Sequence, residues 1–288
     1  MSEPYTNQDL IKEAYATNEH LLVRSRTHEL YTHPQRDFKR WVIESVEWRG
    51  DERVLDVGAG AGEYASLVQE HAPDGIYVAG DLSLGMLRQA RNAGHPGDCV
   101  NLDAQNLPFD DGLFDYVLAN HMLYHVPDID QALSEIRRVL KPGGCLVAAT
   151  NSQETMQELD TLSRRACTLL GHPRHEFRPM HVKFSLENGP IRIAHYFRAV
   201  ARHDLPSALH FPEVEPVLAY LNSTRTLRAG QLPEDVTWEQ FMGVMQKQLT
   251  RLIRHYGELQ VRKLAGVIIA TNHGGFAADY LQKLDAGV

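Results

Sequence analysis

Cysteine is scarce. Only Cys99, Cys145 and Cys167 occur, an odd and scattered set that points to a reducing compartment and so to the cytoplasm. Long apolar runs are missing as well. Stretches such as Leu264–Ala270 are far too short to span a bilayer, so no membrane partner is expected. The opening MSEPYTNQDLIKEAY has neither an apolar core nor a cationic lead, and no secretory signal is expected from it. Positive charge is in deficit: 29 Lys and Arg stand against 37 Asp and Glu, a formal net charge of −8. A chain that grips nucleic acid by its phosphates usually offers a basic surface, so no nucleic-acid partner is expected. There is no internal repeat and no low-complexity segment.

What is present fits one large domain, or one domain with appended helices: 288 residues, 43% hydrophobic and 23% charged. Four zones follow one another. Residues 1–50 read as helical, with a helix over Asp37–Trp48 that carries Phe38, Trp41, Val42 and Ser45 on one face. Residues 51–151 alternate apolar runs with amphipathic segments. The strand candidates are Arg53–Val57, Ile76–Asp81, Cys99–Leu102, Phe114–Asn120 and Cys145–Thr150. Helices are expected from near Glu63, Ser83 and Asp128. This alternation implies a parallel sheet with right-handed crossovers. Asp128 and Gln131 stand at capping-box spacing, and Pro142-Gly143-Gly144 is expected to stop that helix and turn into the next strand. Residues 152–197 lack strand alternation and read as an insertion over the strand ends. Residues 198–288 complete the sheet. They hold strands at Ala199–Leu205 and Leu264–Thr271, a short helix at Val214–Leu221, and a long one capped by Thr237 and Gln240 and ended by Gly257.

The sharpest chemical signal is Val54-Leu55-Asp56-Val57-Gly58-Ala59-Gly60-Ala61-Gly62-Glu63: an apolar strand, a glycine turn and a helix start. Glycines let a ligand approach the main chain, and amides at a helix start favour anionic groups. A dinucleotide fingerprint needs a third glycine where Glu63 stands, so the spacing opens a pocket without committing it to two phosphates, and it argues against an NAD dehydrogenase. Asp81 follows at the separation of a ribose-binding carboxylate. Asp103-Ala104 follows the third strand candidate, and Asn120-His121-Met122-Leu123-Tyr124-His125 follows the fourth. Both lie beyond carboxyl ends of strands, where open α/β sheets bind ligands.

With these residues in place, the block Val54–Asn151 resembles the class I S-adenosylmethionine-dependent methyltransferases, in particular their broad bacterial small-molecule group. The matching text is VLDVGAGAGEY, GDLSLGML, DAQNLPFDDGLFDYVLANHMLYHVPD and ALSEIRRVLKPGGCLVAATN. The match covers about a third of the chain. The resemblance implies an α/β Rossmann-like fold: a mostly parallel seven-stranded sheet with helices on both faces, N-terminal helices over the active site and an inserted lid. It implies S-adenosyl-L-methionine as cofactor. Asp56, Gly58, Ala59, Gly60 and Gly62 would shape the methionine end, and Asp81 would hold the ribose. Leu82 and Met86 would pack on the adenine, Asp103 and Ala104 would meet its edge, and Asn120 and His121 would lie near the sulfonium.

Methyl transfer depends largely on positioning, and a base is needed only where the nucleophile must lose a proton. His121, Tyr124 and His125 are the catalytic candidates by location. The substrate wall must come from outside the shared motifs; Tyr15, His28 and Tyr31, with Phe177, Met180 and Tyr196 from the insertion, are the candidates. Such a mixture suits a small, partly apolar molecule with a polar or anionic group. An RNA or nucleobase methyltransferase is the alternative, but two prolines do not follow Asn120. A non-catalytic cofactor-binding subunit is the other. His172, His175 and His181 cluster around Glu176, yet no cysteine pair accompanies them and no metal is expected.

Overall fold

A computed structural model describes residues 7, 10, 11, 13, 19–178 and 181–274. In chain order its elements are α1 (Glu19–Tyr31), β1 (Thr32–His33), α2 (Phe38–Ile43), β2 (Arg53–Val57), α3 (Ala65–His71), β3 (Ile76–Asp81), α4 (Leu84–Asn92), β4 (Asp98–Asn101) and β5 (Phe114–Leu118). Then come α5 (Ile129–Val139), β6 (Leu140–Asn151), α6 (Gln157–Leu169), α7 (Gly189–Ile193), β7 (Ala199–Phe211), α8 (Val214–Asn222), α9 (Arg225–Arg228), α10 (Trp238–Tyr256) and β8 (Leu259–Thr271). They divide into two compact units. The first comprises the residues up to Arg36, Gln153–Val182 and Leu205–Leu264. The second comprises Asp37–Ser152, Lys183–Asp204 and the residues from Ala265 on.

The second unit holds the sheet core, with strand order β7-β8-β6-β5-β2-β3-β4. Strands β4, β3, β2, β5 and β6 pair in parallel, and β8 joins β6 antiparallel. These are the seven strands expected from the resemblance; two-residue β1 is an eighth, pairing Thr32 and His33 with Leu209 and Ala208 in the first unit. Strand order reverses around β2, which has β3 on one side and β5 on the other, so a crevice opens at its carboxyl end. Val54, Leu55, Asp56 and Val57 are all buried, as befits a strand covered on both faces. Helix α5 lays Ile129, Ala132, Leu133, Ile136 and Val139 on the sheet, each fully buried Ile, Leu or Val contributing about 1.5–3 kcal/mol.

Three local details differ from the sequence reading. The helix expected through Trp48 stops at Ile43, because the Trp48 indole N–H folds back onto the Ile43 carbonyl at 2.8 Å. At Asp128 the carboxylate accepts from the Gln131 N–H at 3.0 Å, but the Asp128 N–H donates to the Gln105 side chain, so Gln105 supplies the half of the box that Gln131 was expected to give. Pro142-Gly143-Gly144 does not precede the strand but lies inside β6, at an irregularity where pairing with β5 jumps from Phe114↔Leu140 to Tyr116↔Cys145.

The first unit is built on helix α10, whose capping box of Thr237 and Gln240 forms as expected and whose C-cap Gly257 has φ 85°. Trp238, Phe241, Met245 and Leu249 form its buried stripe. Helix α6, which the sequence reading left without an element, presents Leu159, Leu162, Ser163, Ala166 and Cys167 to the same core, and Gln248 donates to the Leu162 carbonyl at 3.2 Å.

Candidate functional site

At the end of β2, Gly58, Gly60 and Gly62 take φ values of 72°, 58° and 81°, the left-handed region that side chains resist. A Cβ at Gly58 would stand 2.7 Å from the Cβ of Met122, so this glycine also admits a close neighbour. The Gly58 and Ala59 N–H groups donate to the Gly80 carbonyl at 2.7 and 3.0 Å, fastening the turn to the end of β3. The Gly60 N–H donates to Asp81 Oδ2 at 2.8 Å, while Asp81 Oδ1 accepts from the Ser83 N–H at 2.7 Å. The carboxylate thus bridges the glycine turn and the start of α4. Burial raises its pKa, and the two backbone donors oppose that rise.

Behind the turn Asp56 is buried and accepts from the Tyr77 hydroxyl at 2.7 Å. Burial pushes it up to about 7, Asp81 and Glu63 add to the rise, and the Tyr77 bond counters it. Asp103 folds onto its own loop, accepting from the Gln105 N–H at 2.9 Å and from the Gln105 side-chain amide at 3.0 Å. Ala104 and Met86 are buried; Leu82 is half-buried. Beyond β5, Asn120 Oδ1 accepts from the Ala149 N–H at 3.0 Å, whereas its buried Nδ2 has no partner among the described residues. His121 has φ 55°, unusual for a non-glycine residue. Its N–H donates to the Ala149 carbonyl at 2.8 Å, and its ring centre lies 5.4 Å from that of Phe38. Tyr124 is buried and its ring meets His125 edge-on at 4.5 Å.

The glycine turn, Asp56 and Asp81 are therefore joined directly by backbone and strand pairing, and Asn120 and His121 stand on the neighbouring strand end, both bonded to Ala149. The substrate candidates are divided. His28, Tyr31 and Phe177 belong to the first unit and Tyr196 to the second; Tyr15 and Met180 lie outside the described residues. Tyr31 packs against Phe211 at 5.1 Å, and Phe177 against His175 at 4.9 Å. His172 pairs with Asp235 at 3.0 Å, and no metal-binding group of three or more ligands exists among the described residues.

Sequence reasoning missed Tyr77 and Gly80. Tyr77 is the one aromatic in an otherwise small-aliphatic strand, and it pairs in register with Val54, two residues before Asp56. A buried strand carboxylate needs such a donor, and that requirement was the available signal. Gly80 is imposed by packing, since a Cβ there would stand 2.4 Å from Leu102; nothing local in the sequence announces it.

Fold and site together define an α/β domain with a glycine turn and a buried carboxylate at the switch point of its sheet. Residues 55–148 match the family model described as "Methyltransferase domain", and this segment is a methyltransferase domain of the class I S-adenosylmethionine-dependent kind. The chain is 33% identical over 182 residues to malonyl-[acyl-carrier protein] O-methyltransferase of Geobacter sulfurreducens, covering 62% of this chain and 66% of that one. It is 37% identical over 109 residues to the ubiquinone/menaquinone biosynthesis C-methyltransferase of Desulfotalea psychrophila, covering 37% and 44%. The chain thus spans less than two thirds of the length of these relatives. Among solved structures, a Haemonchus contortus phosphoethanolamine-type N-methyltransferase, in complex with phosphomonomethylethanolamine and S-adenosylhomocysteine, shares the fold with a TM-score of 0.56, at 17% identity over 92% of this chain and 60% of that one.

Proposed function

We propose that this protein is an S-adenosylmethionine-dependent methyltransferase that moves a methyl group in line onto an oxygen, nitrogen or carbon nucleophile of a small molecule. One observation carries the reading: a half-buried Asp81 carboxylate bonded to the glycine turn by a single N–H on each oxygen. Each oxygen keeps acceptor capacity for a ribose hydroxyl. The residues fit the cofactor in two further ways. The glycine positions leave main chain bare where side chains would intrude, and Asn120 Nδ2 is a buried donor with its bond still to make.

When bound, the cofactor supplies an electrophilic methyl group on a sulfonium. Asp56, Gly58, Ala59, Gly60 and Gly62 would hold its amino-acid end, Asp81 its ribose, Leu82 and Met86 the adenine faces, and Asp103 and Ala104 the adenine edge. Asn120 and His121 would border the reacting methyl. The protein's part is chiefly to orient the nucleophile and exclude water. His121, His125 or Tyr124 would accept a proton only for an acceptor that must lose one. His28, Tyr31, Phe177 and Tyr196, with Tyr15 and Met180, would wall the acceptor. Residues 1–50 would cover the site, 51–151 would form the cofactor-binding core, 152–197 a lid and 198–288 the completing strands. A cytoplasmic setting is supported by three free cysteines, of which Cys145 and Cys167 are buried. No helix among the described residues is long and apolar enough to cross a membrane.

The test is transfer of radiolabel from the methyl-labelled cofactor to extracted metabolite pools. Label in a small-molecule fraction is expected. Label in RNA alone, or in no fraction from a protein that binds the cofactor, would overturn the reading.

A further inference from the structure

The second unit carries an aromatic contact beside the glycine turn that the roles given so far leave unused. Phe38 opens α2, and its ring centre lies 5.4 Å from that of His121, with the two planes 43° apart. Trp41, on the same helix, stands 5.7 Å from Phe38. Both rings pack against the apolar cluster that includes Ala59 of the glycine turn, Tyr64 just beyond it and Leu118 at the end of β5. Next along the chain, Lys39 pairs at 2.9 Å with Glu63, the residue after Gly62. Phe38 is thus held between the loop after β5 and the turn after β2, the two strand ends that flank the crevice.

Anchoring α2 does not by itself account for this ring. Val42 and Ile43 are fully buried and hold the helix to the core, and Arg40 fastens it to Glu70 of α3 at 2.8 and 3.0 Å. Phe38 stays half-buried, with an imidazole against it. His121 holds its φ of 55° through the N–H bond to Ala149, a backbone conformation that side chains resist. The charges point the same way. Asp81 is bonded to the turn and Asp56 lies buried behind it, and among the described residues neither forms an ion pair. Lys39, the cation nearest in sequence to Phe38, is taken up by Glu63. Carboxylates without a cation, beside aromatic rings, suit a positively charged ligand.

We propose that Phe38, paired with His121, forms an aromatic wall for the positively charged sulfonium of the cofactor, and that Phe38 thereby distinguishes the charged cofactor from its neutral thioether product. A cation is drawn to the negative face of an aromatic ring, and a thioether is drawn to it less. Loss of the methyl group removes that attraction and favours release of the product. The inference rests on the methyltransferase reading, and it adds a residue outside the glycine turn and the loop after β5.

Calorimetric titration of the full-length protein with S-adenosylmethionine and, separately, with S-adenosylhomocysteine tests it. In Phe38→Leu the affinity for S-adenosylmethionine should fall about fivefold or more, while that for S-adenosylhomocysteine stays within about twofold. Phe38→Tyr, which keeps the ring, should keep the wild-type ratio of the two affinities. A ring-fluorinated phenylalanine placed at position 38 preserves the shape and removes the negative ring face; it should shift the ratio as Phe38→Leu does, and it serves if the leucine variant does not fold. An equal loss for both ligands would make Phe38 a packing residue, and an unchanged ratio in the leucine and fluorinated variants would overturn the proposal as well. If the wild-type protein binds neither ligand, the methyltransferase reading itself falls, and the inference with it.

Discussion

The two units bury polar groups in different ways. In the second, Asp56, Asp81 and Asn120 stand at strand ends and are held by Tyr77 or by backbone N–H groups, and Asn120 Nδ2 keeps a bond unmade. In the first, buried polar groups mostly serve helices. Ser163 donates to the Leu159 carbonyl and Thr224 to the Leu221 carbonyl, each within one turn, while Gln248 ties α10 to α6. Helical hydroxyls consume their capacity locally. Strand-end polar groups, set where backbone pairing stops, retain some for a ligand. Buried polarity therefore marks a site when it lies at the carboxyl ends of strands, and marks packing when it lies within helices.

Four changes sharpen or break this comparison. The largest effect is expected in the first unit: Phe241, fully buried, should cost about 3–5 kcal/mol as Phe241→Ala. Thermal unfolding reads that loss, while S-adenosylhomocysteine affinity of the folded fraction should be unchanged; a parallel fall in affinity would break the division of labour. In the second unit, Gly58→Ala must adopt φ 72° and meet Met122, at about 1–3 kcal/mol, and here affinity should fall together with stability.

Tyr77→Phe should cost about 1–2 kcal/mol, with a pH dependence that identifies Asp56 as the partner. Asp56 has its folded pKa raised from 3.8 to about 7. The folded protein therefore binds more protons than the unfolded chain between those values, so the contribution of Asp56 is present at acid pH and lost as pH rises through about 7. The Tyr77 bond favours the ionised form, so its removal should cost more at pH 8 than at pH 5. Unfolding at both pH values checks this, and Asp56→Asn should flatten the wild-type fall. The smallest effect is Thr237→Ala, which removes half a capping box in the first unit for about 1 kcal/mol and leaves affinity untouched.

The same contrast governs what could be read from the sequence. Strands β2 and β3 fall on Arg53–Val57 and Ile76–Asp81 as expected, because short apolar runs bounded by charge or glycine leave few alternatives. The glycine turn and Asp81 were legible for a related reason: left-handed backbone needs glycine, and a carboxylate at a strand end stands out. In the first unit α6 was missed although Leu159, Leu162, Ala166 and Cys167 recur at helical spacing, because no side chain caps its start at Met156. Helix α1 buries only Thr27 among its residues and carries almost no stripe.

The central claim is that Asp81, fastened to the glycine turn, holds the cofactor. Calorimetric titration with S-adenosylhomocysteine tests it most directly. The account predicts measurable binding to the wild-type protein and a loss of roughly 1–3 kcal/mol in Asp81→Ala, about a tenfold to hundredfold weaker affinity. No binding to the wild type, or equal affinity in a variant that unfolds as cooperatively as the parent, would contradict it.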